Sequence, residues 1–201
     1  MPLEVKLFAC LKEEEIEMPR RCFSFCLVLL TVTPGVTCLT AAAAPRLEWK
    51  AGVAAVDITP ADPIWMAGYA ARKHPSEGIA QRLYAKALVL EDRGGHRFVI
   101  ITSDLLGFPK AVSEPIAEKL RLLHNLKREQ VLFTSSHTHS GPVIRESLIS
   151  MYPLDESQAA AVRDYTERLQ SQIVALVDAA LKDLTPARLE FGRGHAEFGV
   201  N

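Results

Sequence analysis

Downstream of residue 45, short apolar runs and longer apolar stretches of helical period interleave along the chain. Val53 to Ile58 predicts a strand, closed by Thr59-Pro60 and the Asp62-Pro63 turn. Leu83 to Leu90 and Phe98 to Thr102 predict two more, joined through Glu91-Asp92-Arg93-Gly94-Gly95, a hairpin turn by composition. Ser113 offers an N-cap and Pro115 suits a first helical turn, with Ile116, Leu120 and Leu123 following at helical spacing. Val131 to Thr134 predicts a fourth strand. Asp155 to Leu184 is the strongest signal, because Val162, Tyr165, Leu169, Ile173, Leu176 and Ala180 recur every three or four residues until Thr185-Pro186 ends the helix. Arg188 to Phe191 and Glu197 to Val200 predict a last pair of strands around Gly192 and Gly194. Ile64 to Gly78 reads as a loop carrying Trp65, Met66 and Tyr69, residues suited either to packing or to lining an apolar site.

The order β-ββ-α-β-α-ββ predicts an α/β fold, a mixed β-sheet with helices packed on it. Phe98–Thr102, the helix after Ser113 and Val131–Thr134 form one βαβ unit, expected to be parallel with a right-handed crossover. Parallel strands end on the same edge of a sheet, and ligands of open α/β sheets bind at that edge. Asp104 and the stretch Ser135-Ser136-His137-Thr138-His139-Ser140-Gly141-Pro142 therefore converge there.

The first 44 residues read as an address outside the fold. From Met18 the chain runs Pro-Arg-Arg, an uncharged apolar stretch over 22–40 broken by Pro34-Gly35, then Ala41 to Ala44. A basic start, an apolar centre and small residues at the end predict a signal peptide with Met18 as the natural start. The boundaries expected are 1–44 for the upstream extension and signal peptide, and 45–201 for the domain. All four cysteines (Cys10, Cys22, Cys26 and Cys38) fall in the leader, which excludes a disulfide framework or a thiolate metal cage in the body. An exported protein without disulfides suits a periplasm or cell exterior. Lys+Arg 23 against Asp+Glu 24 leaves no basic excess to advertise a nucleic-acid partner. Oligomeric state has no signature in the sequence.

His137 and His139 carry the candidate chemistry. If the strand continues through them, both imidazoles point to one face with backbones ~7 Å apart. That arrangement suits a shared metal, or one ligand beside one acid–base group, with Asp104 available to orient a ligand imidazole. Ser140 and Gly141 are small enough to let a substrate approach the backbone. The competing reading is two hydrogen-bonded or surface histidines at a strand end. HExxH, GxSxG, GxGxxG and P-loop motifs are absent. His74, His96, His124 and His195 are isolated, with His96 and His124 placed for solvated roles, and Arg82 suits either an anion or a flanking position.

Ala51-Gly52-Val53-Ala54-Ala55-Val56-Asp57-Ile58-Thr59-Pro60, Met66-Ala67-Gly68-Tyr69, Gly78-Ile79, Arg82-Leu83-Tyr84-Ala85, Ser103-Asp104-Leu105 and Ser136-His137-Thr138-His139-Ser140-Gly141-Pro142 follow in one order. This order resembles the amino-terminal part of the neutral/alkaline (non-lysosomal) ceramidase family over roughly residues 51–200, with HTHSGP its most specific block. The resemblance implies zinc-assisted hydrolysis of the amide bond of ceramide to sphingosine and a fatty acid. It implies that His137 is a Zn²⁺ ligand and that His139 lies beside the reacting carbonyl as the catalytic residue. It further implies that a second His, a Glu, a Tyr and an active-site Ser come from beyond residue 201, so this chain by itself is expected to be inactive. The partners implied are a lipid or other amide substrate and peripheral contact with a membrane surface. A metallohydrolase of another amide or ester, and a non-catalytic binding remnant of the fold, are the alternatives.

Overall fold

The computed structural model describes residues 49–145, 147 and 149–195. Among the described residues, five strands and two α-helices form one mixed α/β layer pair. The strands are β1 (Trp49–Asp57), β2 (Tyr84–Glu91), β3 (Arg97–Ser103), β4 (Val131–Ser135) and β5 (Thr185–Ala187), and the helices are α1 (Lys110–His124) and α2 (Glu156–Lys182). The sheet order is β4-β3-β2-β1-β5. All neighbours are antiparallel except β3 and β4, which are parallel as the βαβ reading requires.

Register explains which face is buried. Gly52, Val89, Val99 and Val131 form one cross-strand row, and Ala54, Ala87, Ile101 and Phe133 form the next. Side chains in one row share a face, and these rows face the core with Val162, Tyr165, Leu169, Ile173, Val177 and Ala180 of α2. The residues are small on β1 because α2 lies directly on it: a Cβ on Gly52 would stand 2.0 Å from the Ala180 carbonyl oxygen. The opposite row, Val53, Leu88, Ile100 and Leu132, faces away from the helices, and Val53 and Leu132 are exposed.

The helix ends differ in how far the sequence announces them. Asp155, read from the sequence only as the start of the helical stretch, caps α2: its side chain accepts from Gln158 N at 2.8 Å, and Gln158 Oε1 accepts from Asp155 N at 3.0 Å, a reciprocal capping box. α1 starts earlier than Ser113. Pro109 precedes its first turn without a side-chain cap, and Ser113 is buried inside the helix with Oγ donating to Pro109 O at 3.2 Å. Pro115 therefore lies within α1 and cannot donate to the Ala111 carbonyl. The Gln170 amide of α2 approaches that carbonyl at 3.5 Å and the Val112 carbonyl at 3.4 Å, so α2 partly meets the need that the proline creates. Ile116 and Leu120 are buried, but Leu123, in the last turn of α1, is 65% exposed.

One further expectation changes. The strand at the carboxyl end is Thr185–Ala187, on the edge of β1, and not Arg188 to Phe191. Proline at an edge position leaves no ladder bond unmade. Glu197 to Val200, and the leader over 1–44, lie outside the described residues. Among the described residues no helix is long and apolar enough to cross a membrane.

Candidate active site

Two loops build the site at the carboxyl edge of β3 and β4. The strand expected to run through both histidines stops at Ser135, where Ser136 N donates to Ser103 O at 2.9 Å as the last ladder-like bond. His137 then takes a left-handed backbone with φ 58°. The imidazoles of His137 and His139 nevertheless meet, ring centroids 5.2 Å apart and nearly edge to face. A turn, rather than strand alternation, brings them together.

His137 Nδ1 lies 2.7 Å from the carbonyl oxygen of Leu106, in the loop leaving β3. A carbonyl accepts only, so Nδ1 carries a proton, and in the neutral ring the lone pair is on Nε2. His137 is exposed, and that nitrogen has the chemistry of a metal ligand held by a backbone partner. Asp104 does not supply this support: its Oδ2 accepts from Tyr84 N at 2.9 Å, and its own N–H donates to Tyr84 O at 2.9 Å. The carboxylate extends the β2–β3 pairing instead of orienting an imidazole.

His139 is half-buried and held by the loop over 64–76. Ala67 N donates to Gly141 O at 2.8 Å and Val143 N to Trp65 O at 2.7 Å, zipping the two loops antiparallel around Met66 and Pro142. Gly68 has φ 106°, and a Cβ there would stand 2.4 Å from His139 Cγ. Its N–H donates to the Tyr152 hydroxyl at 2.8 Å. Tyr69 lies edge-on to the His139 ring at 5.0 Å, and Arg72 Nη2 donates to the His139 carbonyl at 2.8 Å. The aromatic residues of this loop thus divide: Trp65 is core, beside Tyr152 at 5.9 Å, whereas Tyr69 is exposed against the imidazole. Gly141 is buried, and a Cβ on it would stand 3.0 Å from the Asp104 carbonyl oxygen, so its smallness serves loop packing.

A cleft of about 850 Å³ opens on the other side of the motif, lined among others by Met66, Arg72, Arg82, Ser136, Thr138 and Ser140. Ser136, Thr138 and Ser140 of the histidine loop line this cleft, and neither imidazole does. Arg82, at its rim, pairs with Asp57 (Nη1 to Oδ2, 2.5 Å) and so flanks a strand without being free for an anion. Hydrogen bonds from Thr59, then the Arg82 guanidinium, pull the Asp57 carboxyl down to about 2. Of the other histidines, His74 and His96 are exposed, His96 beside Asp92 in the hairpin turn. His124 is less solvated than expected: its side chain is 18% exposed and its Nε2 faces Asp178 at 3.8 Å.

Among the described residues no group of three or more His, Cys, Asp or Glu side chains comes together to hold a metal. Catalytic zinc sites take three protein ligands. His137 fits zinc as one such ligand, and the described residues do not complete the set.

A mixed sheet with paired imidazoles at the carboxyl ends of two parallel strands is an α/β scaffold with its polar site in the strand-end loops. The family model described as neutral/alkaline non-lysosomal ceramidase, amino-terminal, matches residues 49–199, and the chain belongs to that family. The neutral ceramidase of Pseudomonas aeruginosa is 28% identical over 158 residues, covering 76% of this chain and 23% of that protein. The neutral ceramidase of Drosophila melanogaster is 31% identical over 100 residues, 47% of this chain and 14% of its own length. The crystal structure of the Pseudomonas aeruginosa enzyme matches with a TM-score of 0.57 and 27% identity over 70% of this chain and 22% of that one. The chain thus spans less than a quarter of the length of these relatives.

Proposed function

We propose that this chain contributes the amino-terminal part of an exported zinc-dependent hydrolase that cleaves the N-acyl amide of ceramide to sphingosine and a fatty acid. The observation that carries the reading is the pair of imidazoles in the HTHSGP loop, one with a backbone-fixed Nδ1–H and the other 5.2 Å away, within a chain of this family.

In this reading His137 offers Nε2 to the zinc, because Leu106 O engages its other nitrogen. Zinc, when bound, supplies Lewis-acid polarisation of the amide carbonyl. His139 stands beside the same point and donates a hydrogen bond to the oxygen on which negative charge develops as the carbonyl is attacked. The turn at Ser136–His137 holds both rings before substrate arrives, so little reorganisation is needed. The remaining zinc ligands come from outside the described residues. The apolar leader expected over 18–44 supports export, and the lipid substrate supports work at a membrane surface.

The test is hydrolysis by the natural protein that contains this chain, across long-chain N-acyl sphingosines and a panel of non-lipid amides and esters. Preferential release of sphingosine is the expected result. Turnover confined to the non-lipid panel would move the reading to another metallohydrolase, and no zinc and no turnover would leave a binding remnant.

A further inference from the structure

We propose that Arg72 is a positioning residue for His139, acting through Tyr69 and through the His139 backbone; this rests on the functional reading above only for the consequence in activity. Its guanidinium makes two contacts that converge on one residue. Nη2 donates to the His139 carbonyl at 2.8 Å, and Cζ stands 5.4 Å above the centroid of the Tyr69 ring. Tyr69 in turn meets the His139 imidazole edge-on at 5.0 Å. Arg72 therefore grips the backbone of His139 directly and its side chain through an aromatic wall.

The loop is shaped to allow this grip. Arg72 N approaches Tyr69 O at 3.3 Å, a turn that folds the arginine back over the tyrosine three residues earlier. Gly68, with a positive φ, leaves no room for a side chain against the imidazole, so the ring sits flush on the loop. Arg72 Nε is buried without a hydrogen-bond partner among the described residues. A buried donor left unmet disfavours the folded state, and the guanidinium keeps this place despite it. Arginine suits the task better than lysine because its plane stacks on an aromatic face while its fork still donates.

Placement of this kind matters to catalysis because a hydrogen-bond donor works only where charge develops, and a shift of about 1 Å costs up to ~10²-fold in rate. His137 has its own anchor on Leu106. Loss of Arg72 should thus disturb His139 and spare the metal ligand.

The experiment compares Arg72→Ala and Arg72→Lys in the natural protein by three readouts. These are kcat and KM on ceramide, zinc content, and the nuclear Overhauser contact between the Tyr69 and His139 rings. Arg72→Ala is expected to lose the ring contact and ~10- to 100-fold in kcat, with KM within about twofold and zinc unchanged. Arg72→Lys should recover part of both. A ring contact and kcat that persist in Arg72→Ala overturn the proposal. Should Arg72→Ala fail to fold, a folded Arg72→Lys with wild-type ring contact and kcat overturns it equally, since the arginine would then be structural. If the wild-type protein has no ceramide activity, the functional reading fails while the ring contact still decides the role of Arg72.

Discussion

Nδ1 of His137 stands 2.7 Å from the carbonyl oxygen of Leu106, a backbone group in the loop that leaves the neighbouring parallel strand. One strand-end loop thus fixes the proton on a histidine carried by the other. For the neutral imidazole of His137 the Nδ1–H tautomer is the one expected. Imidazole ¹⁵N shifts read the tautomer, and an Nε2–H form would contradict the arrangement.

The sheet and α2 meet where Gly52 has no side chain. A methyl group there would lie 2.0 Å from the Ala180 carbonyl oxygen and 2.9 Å from Leu184 N, both backbone atoms that cannot swing aside. Gly52→Ala should destabilise the domain by about 3 kcal/mol, the upper end of overpacking costs. Denaturant unfolding with an unchanged midpoint would show that α2 is not seated on β1 as described.

Acid stability should depend on the end of β1. Asp57 accepts from Thr59 N at 2.9 Å and pairs with Arg82, and these contacts hold its carboxyl at about 2, below the ordinary 3.8. A carboxyl lowered in the folded state contributes stability that is present above its unfolded value and is lost as pH falls through the folded one. The window is therefore pH ~4 down to ~2. Thermal unfolding should lose less over that window in Asp57→Asn than in the wild type, and equal slopes would remove Asp57 from the account.

The fold was largely legible because its signals are periodic. β1 to β4 and α2 follow from apolar alternation, helical spacing and the Thr185-Pro186 stop, and the strand-end location of the site follows from the βαβ order. What escaped the sequence depends on partners distant along the chain. Pro115 reads as a first-turn residue until Gln170, which is 59 positions from Ala111, is seen beside the Ala111 carbonyl. Asp104 has the right type and place to support a histidine, but Tyr84 N engages it first. The convergence of the imidazoles was expected from strand alternation and arises from a left-handed turn at His137. Arg72 and Tyr152 carry no local signal at all, since each acts on a loop 67 or 84 residues away.

The most direct test of the central claim is zinc content, measured together with ceramide hydrolysis, in the natural protein and its His137→Ala and His139→Ala variants. His137→Ala should lose zinc and activity together. His139→Ala should keep zinc and lose ~10²- to 10³-fold in kcat, the effect of removing one donor to a developing oxyanion. Normal zinc and normal turnover in His137→Ala would contradict the assignment of the HTHSGP loop as the metal-bearing part of the site.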